Sequence, residues 1–296
     1  MANWPIVERR VQVLGTNMSY FEAGTGPPVV FLHGGVASAN MWRRVLPRVA
    51  PFGRCIAVDL VGTGHSDAPA GADVDSYTWQ QHARHLTEFL ELVGVTDNVT
   101  LVMHGWSPLA AYPWILQNRD RVRGLAFVEA IVAPFSYGNL DQRLRSTLIK
   151  ARGESGQHVV VGSDLYFDRV IRSQTQTPLD AEVSAGYRRT HSTSRLALYA
   201  ALTSLPIGGE PRDAVELARA GNTWLCDTNV AKLIVLGRPG SVSSLIPNET
   251  LTRAPNLTVA TVPGRHLLAE DSPESLALCL NMWLARLGFT THTKKR

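Results

Sequence analysis

The sequence predicts an α/β fold, a doubly wound and mostly parallel sheet with a helical cap. Short apolar runs bounded by turn residues alternate with amphipathic stretches in the first half of the chain and again near its end. This alternation is typical of a parallel sheet covered by helices on both faces. Between about residues 133 and 213, strand-like runs give way to helical segments. The 296 residues, 45% hydrophobic and 18% charged, can form a large buried core.

The elements before the insertion follow from their periodicity. Two short strands flank a turn at Gly15, and four further runs are almost wholly apolar, as expected of strands buried on both faces. The predicted strands are Val11–Val13, Met18–Glu22, Val29–Leu32, Cys55–Val58, Val99–Met103 and Val122–Glu129. Helical spacing predicts helices over Ala39–Val49 and Trp79–Val93, and a third that begins at Pro108 with Ser107 as its N-terminal cap.

The second half divides into an insertion and a return of the strand–helix pattern. The helices predicted in the insertion are Leu140–Ala151, Asp164–Arg172, Leu179–Thr190 and Ser194–Thr203. Strands are then expected at Lys232–Leu236 and Leu257–Val262, with a closing helix over Ser272–Leu287. We therefore expect a core of residues 1–132 and 214–290, a helical cap of residues 133–213, and a disordered basic tail of residues 291–296.

Composition excludes several classes of protein. The net charge of +4 is spread along the chain apart from Lys294-Lys295-Arg296, which argues against a nucleic-acid surface. Three scattered cysteines without CxxC spacing argue against a disulfide framework or a thiolate metal site. Neither a membrane-length apolar run nor a secretory signal is found. We expect a cytoplasmic monomer or homodimer that uses no cofactor or metal and acts on a small molecule.

Unusual residues follow four of the predicted strands. They are His33-Gly34-Gly35, His104-Gly105-Trp106, Glu129 and Gly264-Arg265-His266. Ligands of open parallel sheets bind beyond the carboxyl ends of the strands, so the fold itself should bring these four groups together.

With the stretches Tyr20–Gly26, Asp59–Asp67 and His266–Pro273, these groups resemble the α/β-hydrolase superfamily, and within it the haloalkane dehalogenases most closely. The resemblance covers nearly the whole chain, and it implies an α/β-hydrolase fold whose cap follows the sixth strand. In that family the turn after the central strand carries a nucleophilic aspartate within His-Asp-Trp. Here the turn reads His104-Gly105-Trp106. Glycine tolerates the positive φ of such an elbow but has no side chain to attack a substrate.

Further departures from the family pattern surround the elbow. Gly35 stands where the family commonly has a halide-binding asparagine, and Ser107-Pro108 replaces the usual small residues after the tryptophan. The cap also lacks the family's Trp-Pro pair around Ala201-Leu202. Trp106, the other halide ligand that the resemblance implies, remains. Loss of the asparagine together with the nucleophile indicates natural repurposing, so we do not expect dehalogenation.

Other parts of the family's machinery remain. His266 matches the base, and Glu129 matches the carboxylate that orients it in one subfamily; the alternative acid position, within residues 237–241, offers no carboxylate. A buried carboxylate fixes the imidazole tautomer and raises its basicity. The resemblance also implies an oxyanion hole formed by the main-chain N–H groups of Gly35 and Trp106, with the Trp106 indole N–H in the pocket. We expect His104 to be a packed elbow residue.

The leading hypothesis is a cofactor-independent enzyme in which His266 and Glu129 act as a general acid–base pair without a covalent intermediate. Elimination, isomerisation, cyclisation or water addition on a small apolar substrate, such as a specialised metabolite, would suit this site. A non-covalent hydrolase of an ester, lactone or epoxide is an alternative, and so is a ligand-binding protein in which the pair is a relic. Arg265 either faces the pocket and binds an anion or lies on the surface.

Overall fold

The sheet has eight strands. The computed structural model describes residues 5–162, 164–192 and 195–291. Its strands are β1 (Val7–Val13), β2 (Thr16–Ala23), β3 (Pro28–Leu32), β4 (Arg54–Val58), β5 (Val99–Gly105), β6 (Val122–Ala130), β7 (Ala231–Pro239) and β8 (Leu257–Gly264). Their order across the sheet is β1-β2-β4-β3-β5-β6-β7-β8. β2 runs antiparallel to its neighbours β1 and β4, and the other five pairs are parallel, which confirms the predicted mostly parallel sheet.

Helices cover both faces and fill the insertion. The α-helices are α1 (Leu46–Val49), α2 (Trp79–Leu92), α3 (Pro108–Gln117), α4 (Gln142–Arg152), α5 (Gly156–Val161), α6 (Asp164–Gln174), α7 (Ala181–Ser192), α8 (Arg195–Thr203), α9 (Arg212–Asp227), α10 (Asn248–Arg253), α11 (Leu268–Asp271) and α12 (Pro273–Arg286). Short 3₁₀ helices occupy Ala39–Arg44, Val74–Tyr77, Arg119–Arg121, Tyr137–Asn139 and Ser243–Leu245.

Several elements differ from the sequence prediction. The single helix expected over Ala39–Val49 is a 3₁₀ helix followed by the four-residue α1, because Pro47 at the start of α1 cannot donate the N–H that a continuous helix needs. β1 begins at Val7, four residues before the predicted strand, since pairing with β2 extends an otherwise exposed segment. The helices α5, α9, α10 and α11 were not predicted, and the predicted start of a helix at Ser194 lies outside the described residues.

Two apolar layers hold the helices against the sheet. One includes Phe89, Trp114 and Phe127, and the other includes Phe31 and Trp42; all five side chains are buried. Burial of large aromatic side chains on both faces is the main stabilising contribution in such a fold. Because β3, β5, β6 and β8 are parallel, their carboxyl ends lie along the same edge of this sheet.

The insertion between β6 and β7 is helical, with α4 to α8 lying in it. It is joined to the sheet by a buried cluster, in which the Tyr187 hydroxyl donates to Glu270 Oε1 at 2.8 Å while Arg43 binds both oxygens of that carboxylate at 2.5 and 2.9 Å. A fork-shaped Arg–carboxylate pair is among the stronger charged contacts. The boundaries of core and cap, residues 133 and 213, stay a prediction, and the expected basic tail beyond Thr291 lies outside the described residues.

Candidate active site

A sharp turn follows β5, the central strand of the sheet. Gly105 at its apex has φ +62°, in the left-handed region that glycine occupies without steric cost. A Cβ atom on Gly105 would lie 3.3 Å from Gly34 Cα and 3.3 Å from His266 Nε2. The elbow predicted from the sequence is therefore present, and its apex faces the imidazole of His266.

Ser107 stabilises this elbow in a way that differs from the prediction. Its side chain makes no cap hydrogen bond to α3. Instead, Ser107 Oγ accepts the His104 N–H at 3.0 Å and donates to the His104 carbonyl at 2.9 Å. The predicted helix cap was wrong because Ser107 already has a helical backbone, φ −57° and ψ −19°, which turns its hydroxyl back into the elbow.

Glu129 lies at the end of β6 and is fully buried. Its carboxylate accepts three main-chain N–H groups, those of Gly237 at 2.7 Å, Ser241 at 2.8 Å and Val242 at 3.2 Å. These donors stabilise a charge that burial would otherwise disfavour. The backbone of Glu129 has φ +44°, a conformation that costs a non-glycine residue about 1–3 kcal/mol and often marks a functional site.

His266 lies beside Glu129 at the floor of the cavity. Its Nδ1 is 3.6 Å from Glu129 Oε2, which is longer than a hydrogen bond, and Nδ1 has no hydrogen-bond partner within the described ranges. The pair predicted from the sequence is thus brought together, with the carboxylate on the Nδ1 side of the ring and Nε2 towards Gly105.

His104 packs beneath this pair and contributes nothing to the cavity wall. Its ring is fully buried and lies 4.4 Å from the His266 ring, centroid to centroid. His104 Nε2 donates to the His266 carbonyl at 2.9 Å, so the neutral ring carries its proton on Nε2. Burial, followed by the neighbouring charge of His266, holds the pKa of His104 well below its usual value, and we assign it a packing role.

A cavity of about 160 Å³ opens above the elbow. Gly105, His266, Gly35 and Trp106 line its base, which places the predicted site residues around one space. The Trp106 indole N–H is buried and unpaired in the described part of the chain. The main-chain N–H groups of Gly35 and Trp106 likewise meet no main-chain acceptor among the residues that the structure describes. All three donors are available to a ligand.

The wall of the cavity is apolar and comes from the cap and the β7–α10 loop. Its main apolar side chains are Ile131, Phe135, Leu140, Leu148, Leu198, Leu202, Val242 and Leu245. Sequence reasoning did not single these out, because apolar positions on cap helices have the same periodicity whether they pack together or face a ligand. An apolar wall with a few polar groups at one end is typical of small-molecule sites.

Gly35 is closely covered by its neighbours. A Cβ atom there would lie 2.8 Å from the Ala201 Cβ atom on α8 and 3.2 Å from Trp106 Nε1. Separations below about 3.0 Å between such atoms require a shift of the structure. No side chain therefore fits at position 35 while the cap stays where it is.

Arg265 lies at the mouth of the cavity, where it is exposed to solvent but belongs to the cavity lining. Its main-chain N–H donates to Asp271 Oδ2 at 2.8 Å. Asp271 also accepts the Gln176 N–H, so one carboxylate fixes both the Arg265 backbone and a segment of the cap. Arg265 is positioned at the entrance and not at the floor.

The described part of the chain offers neither a metal centre nor a membrane span. Within residues 5–162, 164–192 and 195–291, no cluster of three or more His, Cys, Asp or Glu side chains could hold a metal ion. None of the helices in these ranges is long and apolar enough to cross a membrane. The three cysteines are unpaired thiols.

Comparison with known proteins supports the fold and the lineage. Residues 27–149 match the family model for the alpha/beta hydrolase fold. A haloalkane dehalogenase from Sphingobium indicum is 30% identical over 287 residues, which span 96% of this chain and 97% of that protein. A haloalkane dehalogenase from Mesorhizobium japonicum is 31% identical over 293 residues, covering 96% and 93% of the two chains.

Solved structures agree with this relationship. The crystal structure of haloalkane dehalogenase DbeA from Bradyrhizobium elkani USDA94 has a TM-score of 0.88 and 30% identity, covering 96% of this chain and 99% of that one. Haloalkane dehalogenase DatA from Agrobacterium tumefaciens C58 has a TM-score of 0.87 and 28% identity, with coverage of 95% and 97%. With an α/β-hydrolase fold and relatives of this identity over almost its full length, the chain belongs to the haloalkane-dehalogenase-like family of α/β hydrolases.

Proposed function

We propose that this chain is an enzyme that has replaced the nucleophilic aspartate of its relatives by Gly105 and works without a covalent intermediate. His266 is its general base or acid, and Glu129 orients His266. The reaction is a proton transfer on a small, largely apolar substrate, of the elimination, isomerisation, cyclisation or water-addition type. The observation that carries the proposal is an apex without a side chain that faces an imidazole beside a buried carboxylate.

The position of Glu129 supports the role of His266. Three main-chain donors fix the carboxylate, and its Oε2 faces Nδ1 of the imidazole. An anion on this side favours the tautomer with the proton on Nδ1, which leaves the Nε2 lone pair free. Nε2 faces the space above Gly105, where a substrate atom can approach it and give up or receive a proton.

The donors at the cavity floor support stabilisation of negative charge. The main-chain N–H groups of Gly35 and Trp106, with the Trp106 indole, border the same cavity as Nε2. Fixed donors in an apolar cavity stabilise an enolate or alkoxide as it develops. Removal of a proton by His266 and stabilisation of the resulting anion can therefore take place in one small space.

The neighbourhood of Gly35 supports the departure from dehalogenation. The Ala201 methyl group occupies the position that a side chain at residue 35 would need. An asparagine at this position, which the family resemblance leads one to expect for halide binding, does not fit beneath the cap. Release of halide requires both an attacking group and a halide site; this chain has replaced the attacking group and, at Gly35, one of the two halide ligands, while Trp106 remains.

The decisive experiment works without an identified substrate. A metabolite extract is incubated with the wild-type protein or with His266→Ala, in ¹⁸O-labelled water and in deuterium oxide, and analysed by mass spectrometry. We expect one compound to be consumed by the wild type only, with solvent deuterium in the product where the reaction protonates carbon and without it in an elimination. His158→Ala, a change at an exposed histidine of the cap, is the matched control and should behave as the wild type.

The isotopes separate the remaining possibilities. Solvent ¹⁸O in an acid and alcohol pair, or in a diol, would identify a non-covalent hydrolase in which His266 activates water. A compound that binds and is recovered unchanged would identify a ligand-binding protein. Equal consumption by wild type and His266→Ala, with both proteins folded by circular dichroism, would remove His266 from the mechanism.

A further inference from the structure

A groove rich in positive charge lies on the outside of the cap, between α4 and α6. It is an open space of about 680 Å³, and its cations are Arg143, Lys150, Arg169 and Arg172. Among the described residues that line it, Asp168 is the only acidic one, and its Oδ1 is paired with Arg188 Nε at 2.7 Å. The groove therefore has a clear excess of positive charge in a chain whose charges are otherwise dispersed.

The four cations of this groove are exposed. Among the contacts of the part of the chain that the structure describes, none of them makes a salt bridge or a side-chain hydrogen bond; the carboxylate of Asp168, which lines the groove, is paired with Arg188. Clustered like charges repel one another, and a bound anion would remove that repulsion. Guanidinium groups are well suited to carboxylate, sulfate and phosphate oxygens because they present several donors in one plane.

The groove is continuous with the active-site cavity. Arg143, Thr147, Val170 and Ser173 line both spaces. Arg265 adds a further cation at the cavity mouth. A ligand whose apolar part fills the 160 Å³ cavity can thus extend past Arg143 into the groove without leaving the protein surface.

We propose that the substrate is an amphiphile, with an apolar part that reaches His266 and an anionic group bound by Arg143, Arg169 and Arg172. The anion is a carboxylate, a sulfate or a phosphate. This inference rests on the proposed function and gives its substrate class. The apolar cavity wall selects the reacting end, while the groove binds the charged end and thereby fixes which end enters.

Octanoate and octan-1-ol test the proposal as a matched pair of probes, since they share a chain length and differ in the charged group. Their affinities are measured by isothermal titration calorimetry in low salt. We expect the wild type to bind octanoate about tenfold more tightly than octan-1-ol, as three exposed charge contacts of under 1 kcal/mol each would give. The preference should shrink as sodium chloride screens the charges.

Arginine-to-glutamine variants test which residues produce the preference for octanoate. Arg143→Gln/Arg169→Gln/Arg172→Gln should bind both probes equally. The control, Arg84→Gln/Arg219→Gln/Arg286→Gln, removes the same charge from exposed positions outside both spaces and should keep the preference. Equal affinity of the wild type for the two probes, or an equal loss in the control, would overturn the proposal.

The experiment measures binding and not turnover, so failure of the anionic-substrate proposal can be distinguished from failure of the proposed function. Equal binding of the probes together with turnover that depends on His266 would remove the anionic substrate and leave the mechanism. A preference for octanoate, together with turnover that His266→Ala leaves unchanged, would remove the proposed mechanism and keep the anionic binding site.

Discussion

Gly105 and His266 face each other across the cavity floor, where a Cβ atom added to Gly105 would lie 3.3 Å from His266 Nε2. This separation leaves no room between elbow and base for a larger group unless one of them moves. The ligand must enter from the cavity side, where Trp106 and Gly35 present their donors. The proximity of Gly105 to His266 makes the elbow a sensitive position at which to test the proposed mechanism.

Gly105→Ala should strongly reduce turnover. Its methyl group would press on both His266 Nε2 and Gly34 Cα, and a displaced base loses catalytic efficiency steeply with distance. Positive φ also costs an alanine about 1–2 kcal/mol of stability. Turnover and urea unfolding are measured against Gly71→Ala, whose φ is +67° and whose Cβ would meet nothing within 4 Å. The control should show the stability loss alone; equal turnover in the two variants would contradict a contact between elbow and base.

Glu129→Gln should lower both kcat and stability. The carboxamide has one acceptor oxygen, so at least one of the three main-chain N–H groups now bound by Glu129 loses its acceptor, at about 1–3 kcal/mol. Loss of the negative charge beside His266 should reduce kcat about a hundredfold or more. Urea unfolding and steady-state kinetics measure the two effects. A loss of stability with an unchanged kcat would show that Glu129 only anchors the loop after β7.

The sequence predicted the site well where strand ends determine it. Apolar runs locate β3, β5, β6 and β8, and parallel topology then brings Gly105, Glu129 and His266 to one edge. Contacts that depend on loop conformation were not accessible, and Ser107 is the clearest case, since its hydroxyl serves the elbow instead of α3. The cationic groove was missed because exposed arginines on cap helices look like an ordinary solvated face.

His82 gives a prediction on acid stability. It is buried on α2, and neither ring nitrogen has a partner in the described ranges. Burial, reinforced by the nearby His33 and His85, lowers its pKa from 6.5 to about 3, and burial lowers the pKa of His33 to about 4. Below pH 6.5 the unfolded chain binds protons that these folded histidines do not. Stability therefore falls with falling pH, by about 1.4 kcal/mol per unit and per histidine.

Asp59 opposes this trend in part of the range. Burial raises the pKa of Asp59 from 3.8 to about 6. Its favourable contribution to the free energy of unfolding is therefore fully present below pH 3.8 and is lost as the pH rises towards 6. Two histidines outweigh one aspartate between pH 6 and pH 4, and the net prediction is a protein that loses stability on acidification. Urea unfolding at pH 7 and pH 5 measures the difference.

His82→Phe should raise the free energy of unfolding at pH 7 by about 1–3 kcal/mol, because it removes two buried polar atoms without partners. The edge-on contact with the Trp106 ring, 5.1 Å between centroids, suits a phenyl ring as well. Between pH 7 and pH 5, the free energy of unfolding of the variant should fall by about 2 kcal/mol less than that of the wild type. An unchanged pH dependence would mean that His82 is protonated in the folded state.

Gly35 and Ala201 should be energetically coupled. Gly35→Ala places a methyl group 2.8 Å from the Ala201 Cβ atom, an overpacking that should cost about 1–3 kcal/mol. Ala201→Gly should cost about 1 kcal/mol because it introduces glycine within α8. In the double variant the clash disappears, so the two losses should not add, and a double-mutant cycle should give a coupling of about 1 kcal/mol or more.

Variants at Gly105, Gly35 and Ala201 test the proposed loss of dehalogenation. Gly105→Asp alone should release no halide from 1-bromobutane, because a carboxylate without a halide site lacks half of the machinery. Gly105→Asp with Gly35→Asn and Ala201→Gly restores an acid at the elbow and opens the space that Ala201 closes. We expect halide release, measured by ion chromatography, only in this triple variant. Release by Gly105→Asp alone would show that the crowding of Gly35 does not prevent halide binding.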